Sequence, residues 1–300
     1  MTHQPPPSPR LSARLDYVPN ATGVFVPTPA VAHRDEEYDS RGFDILWKMQ
    51  LRHFWYRGRH RFLLHALRKA MRKSDGSDEK LTAIDLGGGC GGWVRYLSER
   101  FPGGFAELAL ADSSLPALER AGTVLPGGVA RYQVDLLNLG WRERWDVAFL
   151  LDVLEHLPDD KQAMQEVAAA LRPGGLVFVT MPALRFFWSY NDELAHHWRR
   201  YRCTDLQHLA EATGLRLVTA RYFMFFLSPL LWLSRAKPGI AGLTSEEKAE
   251  LVARSHQVPV TPVNETLAMI FGLETPLGHF IKFPWGTSIL GVFQKPKQPA

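Results

Sequence analysis

From residue 81 onward, short apolar runs alternate with amphipathic stretches. Residues 81–86, 106–111, 129–134, 145–151 and 176–181 carry the apolar pattern of strands, and 93–100, 115–121 and 161–171 carry helical spacing between them. Strands linked by helical crossovers predict an α/β fold, a doubly wound, mostly parallel sheet with helices on both faces. The regularity lapses after Pro182, a strand-like "LRLVTARYF" follows, and residues 224–284 read as helix and loop before a last strand at 287–293.

The N-terminal third reads differently. Residues 1–40 form a proline-rich tail, mostly disordered by composition. Over 41–73, Phe43, Leu46, Trp47, Leu51 and Phe54, then Phe62, Leu63, Ala66, Leu67 and Ala70, recur at three- and four-residue spacing. That predicts amphipathic helix, broken near Gly58, with a basic outer face. A polar linker at 72–80 ends it. The expected organisation is therefore a tail (1–40), a helical lid or docking segment (41–78) and a main domain (79–300) with substrate-cap insertions at about 183–205 and 224–285.

Composition narrows the class. A chain of 300 residues, 46% hydrophobic and 22% charged, can bury a substantial core, and a net charge of +4 gives little support to a nucleic-acid partner. Its two cysteines, Cys90 and Cys203, form no CxxC pair and no ligand cluster, so neither a disulfide framework nor a structural metal is expected. Without an apolar signal-peptide core the expected compartment is the cytoplasm. The most apolar segment, "YFMFFLSPLLWL", is interrupted by Ser228 and Pro229 and is too short to span a bilayer core of roughly 30 Å. Peripheral membrane contact stays open.

The chemically specific stretch is "IDLGGGCGGW", residues 84–93. Gly87, Gly89 and Gly92 spell G-x-G-x-x-G, the dinucleotide fingerprint, while Asp85, Gly87, Gly89 and Gly91 spell D-x-G-x-G-x-G, a pattern of S-adenosylmethionine binders. Glycines at a strand-to-helix turn bring bare backbone close to a ligand in either case. Asp85 separates the two, because a carboxylate repels a pyrophosphate and attracts an ammonium or a sulfonium. Asp112, about twenty residues on at a strand end, suits the ribose hydroxyls of either cofactor.

Together with "LADSS", "YQVDLLNL", "WDVAFLLDVLEHLPD" and "LRPGGLVFVTMP" in this order, the glycine turn resembles the class I S-adenosylmethionine-dependent methyltransferases of bacterial small-molecule type. The resemblance covers about residues 81–182. It implies a Rossmann-like, seven-stranded sheet whose last strand, "TSILGVFQKPK", runs reversed beside "LRLVTARYF", with N-terminal helices and a C-terminal helical and aromatic insertion capping the active site. It further implies S-adenosyl-L-methionine as cofactor, converted to S-adenosyl-L-homocysteine, held by Asp85, Gly87, Gly89, Gly91, Asp112, Asp135 (near the adenine), Leu136, Leu151 and Asp152.

Methyl transfer needs a positioned acceptor and, for some acceptors, a proton-accepting group. His156 in "LEH", with His196 and His197 in "YNDELAHHWRRYR", are the expected bases, since an imidazole titrates near neutrality. Trp55, Tyr56 and Arg57 on the basic helix, and Tyr190, Arg199, Arg200 and Tyr201 after the fifth strand, are the expected acceptor contacts. No metal-ligand spacing stands out. The leading expectation is methyl transfer to a small-molecule or lipid-like acceptor. A nucleic-acid methyltransferase is disfavoured because "LDVLEH" stands where base-amino methylating enzymes carry an Asn/Asp-Pro-Pro-aromatic motif. A nicotinamide oxidoreductase is opposed by Asp85, and a non-catalytic cofactor-binding scaffold is the alternative from another class.

Overall fold

The computed structural model describes residues 14–31, 43–72, 80–235 and 257–297, with 242, 244, 247, 250 and 251 between the last two stretches. The expectations for residues 1–13 and 32–40 of the tail, for 41–42 and 73–79, and for most of 236–256 lie outside the described residues.

Among the described residues nine strands form one sheet: β1 (Asp16–Pro19), β2 (Val24–Thr28), β3 (Leu81–Leu86), β4 (Phe105–Asp112), β5 (Ala130–Gln133), β6 (Trp145–Leu151), β7 (Leu171–Pro182), β8 (Arg216–Phe223) and β9 (Ser288–Gln294). Their order is β1-β2-β5-β4-β3-β6-β7-β9-β8. The five central strands β5, β4, β3, β6 and β7 run parallel, and β9 lies antiparallel between β7 and β8. The expected reversed last strand is therefore present.

Two strands more than the expected seven come from the tail that composition assigned to disorder. Asn20 Oδ1 accepts the N–H groups of Thr22 and Val24, each at 2.9 Å, and Gly23 takes a left-handed φ of 74°, which together close the β1–β2 turn. The hairpin is held by distant partners: β2 pairs with β5, Val24 is fully buried, and the Tyr17 hydroxyl donates to the Leu139 carbonyl at 3.0 Å. It also covers an edge that would otherwise stay open to pairing.

The sheet is buried on both faces, as a parallel sheet requires. Ile84 and Leu86 of β3 and Ala148 and Leu150 of β6 face Met164 and Val167 of α5 (Asp160–Ala170) and Leu206 of α7 (Cys203–Thr213). The intervening Ala83, Val147 and Phe149 face α2 (Phe54–Met71) and α3 (Gly92–Arg100). Further helices are α1 (Phe43–Arg52), α4 (Leu115–Gly122), α6 (Tyr190–Leu194) and α8 (Ser228–Arg235).

Gly58 does not break the N-terminal helix. The break falls at His53, and Gly58 sits inside α2 because α9 (Thr261–Phe280) crosses there: a Cβ on Gly58 would lie 1.9 Å from Phe271 Cδ1. Arg61 Nη2 donates to the Ala268 carbonyl at 2.7 Å, and Phe62 stacks on Phe223 at 5.0 Å. Asn264 bridges the helix break, its Oδ1 accepting Phe54 N at 2.8 Å and its Nδ2 donating to the Arg52 carbonyl at 2.9 Å. The aromatic insertion thus braces the N-terminal helices more than it roofs a site. Phe223, Met224 and Leu227 go into the core, and Phe280 is exposed.

Candidate functional site

A cavity of about 580 Å³ opens at the carboxyl ends of β3, β4 and β6, where the strand order reverses direction about β3, the usual ligand crevice of such sheets. Its floor is the glycine turn. Gly87 and Gly88 donate to the Ala111 carbonyl at 2.8 and 3.2 Å, which stitches the turn to β4. Gly87 and Gly89 hold φ of 74° and 57°. A Cβ on Gly88 would sit 2.4 Å from Asp85 Oδ2, and one on Gly87 would sit 2.7 Å from Val153 Cγ2. Side chains are sterically barred from this wall, which leaves backbone facing the cavity.

Asp85 is 1% exposed, lines the cavity, and its Oδ1 has no hydrogen-bond partner in the protein. Burial raises its pKa to about 7; Arg59 opposes the shift and Asp112 adds to it. A carboxylate with an unmatched buried oxygen suits a cationic ligand group. Asp112, at the end of β4, accepts Gly89 N through Oδ2 at 2.8 Å and Ser114 N through Oδ1 at 2.9 Å. Asp135 Oδ1 accepts Leu137 N at 2.9 Å and, with Leu136, borders the same end.

Gly92, which completes the dinucleotide fingerprint, serves another purpose. Its N–H donates to Gln50 Oε1 at 3.1 Å, and a Cβ there would lie 2.7 Å from the Gln50 side chain. The N-terminus of α3, where a pyrophosphate binds in dinucleotide folds, is therefore filled by a buried glutamine from α1. The residues fit S-adenosylmethionine: an orphaned carboxylate for its ammonium, a side-chain-free cradle, and an acid at the second strand of the motif. They do not fit a dinucleotide.

Of the expected cofactor residues, all line the cavity except Gly91. Gly91 is the left-handed N-cap of α3 and turns toward Leu125, so its glycine requirement is conformational. Leu151 and Asp152 line it while also receiving Arg59, which donates to the Leu151 carbonyl at 3.3 Å and is ion-paired with Asp152. The Arg59 guanidinium lies 4.8 and 5.0 Å from the ring centres of Trp55 and Tyr56, which are set edge to face at 4.9 Å, so these two expected acceptor contacts line the cavity together with the arginine they pack against. Burial lifts the Tyr56 hydroxyl to about 12, which keeps it protonated.

The expected acceptor side divides. His156, His197, Tyr190 and Arg200 line the cavity. His196, Arg57, Arg199 and Tyr201 do not. His196 is exposed in a left-handed turn with φ of 55°. Arg57 points outward and binds Glu265 Oε2 at 3.0 Å. Arg199 and Tyr201 both engage Asp160, at 3.0 and 2.8 Å, and Arg199 also reaches the Pro158 carbonyl, so the pair clamps the loop after β6. Arg200 is committed to buried Asp192, which it meets through Nε at 2.7 Å and Nη2 at 2.9 Å.

Asp192, Arg59, Gln50 and Glu155 are the site residues that the sequence reading left without a role. Asp192 also receives His197 Nδ1 at 3.0 Å and Ser189 N at 2.8 Å. Burial pushes its carboxyl up, but the bonds from His197 and Arg200 outweigh that and hold it well below the usual range. Glu155 is 1% exposed, and burial, together with the Asp152 charge, holds it well above that range. The His156 and His197 rings meet edge to face at 4.7 Å. Ligand atoms of Glu155, His156 and His197 lie within 4.8 Å of one another, a grouping that the expectation of no metal-ligand set did not foresee because about forty residues separate His197 from the adjacent Glu155 and His156.

Comparison with known proteins bears on this geometry. A family model described as a methyltransferase domain matches residues 46–220, more than half of the chain. The chain is 35% identical over 105 residues to trans-aconitate 2-methyltransferase of Azoarcus, covering 35% of this chain and 40% of that protein. It is 30% identical over 102 residues to phosphoethanolamine N-methyltransferase 2 of Caenorhabditis elegans, covering 33% of this chain and 23% of that protein. The matched stretch therefore spans less than half the length of either relative. In structure, the chain resembles a protein provisionally named sarcosine dimethylglycine methyltransferase from Galdieria sulphuraria, with a TM-score of 0.51 and 18% identity over 79% of this chain and 85% of that one, a likeness of fold.

Proposed function

Because the chain belongs to the methyltransferase domain family, the class I S-adenosylmethionine-dependent methyltransferases, we propose that it methylates a small polar molecule held in the cavity beside the glycine turn. S-adenosylmethionine supplies, when bound, a sulfonium methyl open to in-line displacement. Asp85 would hold its ammonium, Asp112 its ribose hydroxyls, and Asp135 and Leu136 would border its adenine. The glycine backbone would lie along its length.

The observation that carries this reading is the unmatched Asp85 oxygen beside a helix N-terminus already filled by Gln50. One accounts for a cationic ligand, the other disfavours an anionic one. Trp55, Tyr56 and Tyr190 supply apolar walls that keep water from the reacting end, and His156 and His197 supply the polar groups that receive the acceptor. Both relatives are named for small polar acceptors, which supports the same class here. A lipid-like acceptor draws less support, since Leu231 is the one residue of the apolar 222–233 segment that lines the cavity. No helix among the described residues is long and apolar enough to cross a membrane. Nothing in the site favours nucleic acid.

Calorimetry on the full chain tests the cofactor, and transfer of labelled methyl to pools of small carboxylates, phenols and amines tests the acceptor. The expected result is one-to-one binding of S-adenosylmethionine and S-adenosylhomocysteine, no binding of NAD, and label in a small molecule. Binding of NAD alone, or label only in RNA, would overturn the proposal.

A further inference from the structure

Beyond the cofactor half, the cavity holds a convergent ligand set. Glu155, His156 and His197 offer one ligating atom each, all within 4.8 Å of one another. Glu155 is 1% exposed and its Oε2 has no hydrogen-bond partner in the protein. A buried carboxylate oxygen left unmatched by the chain is accounted for when a group from outside the chain meets it.

The second observation concerns His197. Its Nδ1 faces Asp192 Oδ1 at 3.0 Å, and Asp192 is itself fixed by Arg200 and by Ser189. A carboxylate that accepts a hydrogen bond from Nδ1–H favours the tautomer whose lone pair lies on Nε2, the arrangement found where histidine ligates a metal. His156 brings the other imidazole, set edge to face against His197 at 81°, with a ring nitrogen within 4.8 Å of the ligating atoms of His197 and Glu155. The nearby guanidinium groups are already committed, Arg200 to Asp192 and Arg59 to Asp152.

From this geometry we infer that Glu155, His156 and His197 bind a first-row divalent cation, and that the cation receives an oxygen anion of the methyl acceptor. The inference rests on the reading of this cavity as the acceptor site and specifies how the two imidazoles meet the acceptor. Two imidazoles and one carboxylate suit zinc, manganese or iron and leave positions open for a ligand, whereas magnesium and calcium favour all-oxygen sets. Ligands about 2.1 Å from a cation lie roughly 3–3.5 Å from each other, so loading draws the three together through side-chain rotation. The acceptor class that follows is a small carboxylate, enolate or phenolate. As ligands, the imidazoles have their lone pairs on the cation and do not take the acceptor's proton.

The test uses the full chain stripped with chelator, titrated with Zn²⁺ by calorimetry and with Mn²⁺ by electron paramagnetic resonance, with no cofactor present. One cation per chain is expected. Glu155→Gln and His197→Ala should each weaken binding by about a hundredfold or more, and Asp192→Asn, which acts through His197, by about tenfold. His156→Asn carries the same expectation should Glu155→Gln fail to fold, and S-adenosylmethionine affinity near wild type certifies each variant. No stoichiometric cation in the wild-type chain, or equal affinity in folded ligand variants, would overturn the inference. A chain that binds S-adenosylmethionine but no cation refutes the cation site alone. One that binds the cation but not S-adenosylmethionine keeps the cation site and refutes the methyl-transfer reading, and with it the cation's role toward a methyl acceptor.

Discussion

Asp112 accepts the backbone N–H of Gly89 across 2.8 Å, so the acid at the end of β4 holds the glycine turn in place as well as facing the cavity. The same residue that would bind ribose shapes the wall the cofactor lies on. Asp112→Asn keeps the shape but loses the charge, and a hydrogen bond to a charged group contributes about 1.5–3 kcal/mol. S-adenosylmethionine affinity should fall by about tenfold or more, read by calorimetry, with a smaller drop in melting temperature. Unchanged affinity would remove Asp112 from the cofactor site.

Gly88 and Gly103 make a matched pair of glycines. A Cβ at Gly88 meets Asp85 Oδ2 at 2.4 Å and Leu110 Cδ1 at 2.5 Å, whereas one at Gly103 meets nothing within 4 Å. Gly88→Ala should destabilise the chain by about 1–3 kcal/mol through overpacking and should weaken cofactor binding. Gly103→Ala carries only the strain of its φ of 69° and should leave cofactor affinity alone. Urea melts and calorimetry on the two variants decide this.

The Asp85 carboxyl gives the pH dependence a definite sign. Burial raises its pKa from 3.8 to about 7 in the folded chain, so the folded state binds this proton more tightly than the unfolded one. Its contribution to stability is full below the unfolded pKa, declines as pH rises toward about 7, and is level above. The slope within that window is at most about 1.4 kcal/mol per pH unit. Asp85→Asn should flatten it in urea melts run from acid to neutral pH. Because the ammonium of S-adenosylmethionine pairs with the ionised form, cofactor affinity should rise with pH up to about 7, and the asparagine variant should lose that rise.

Arg59 is 4% exposed, flanked by Trp55 and Tyr56 and paired with Asp152. Arg59→Met preserves the volume but leaves Asp152 with Thr180 as its other side-chain partner, at 3.1 Å. A loss of about 3 kcal/mol is expected on breaking a buried pair from one side. Arg59→Lys keeps the charge but brings a compact ammonium in place of the guanidinium that reaches Asp152, the Leu151 carbonyl and both rings, so only partial rescue should appear in thermal melts.

The central sheet was legible because its signals are local. β6 spans the residues its apolar run marks out, and β9 takes the reversed course that the methyltransferase resemblance implied. The N-terminal hairpin was not legible. Its strands are short and interrupted by proline, and Tyr17 is held by Leu139, Tyr132 and Trp141, which lie more than a hundred residues away. Gly58 illustrates the same limit, since its helical place is set by Phe271. In the site, Asp85 and Asp112 stood out because their motif is contiguous. His197 could be noticed as one of two adjacent histidines, but nothing in the spacing distinguishes it from His196, which turns to solvent. Only the fold places His197 beside Glu155.

Asn264, which caps Phe54 and holds the Arg52 carbonyl, joins the last long helix to the first two. The cavity wall that α1 and α2 supply is therefore braced from behind by a helix near the other end of the sequence. Any chimera that exchanges α1 and α2 with those of a relative must exchange α9 as well, or the borrowed wall arrives without its latch. The acceptor preference of such a hybrid would follow the pair and not either helix alone, so specificity in this architecture is inherited as a unit.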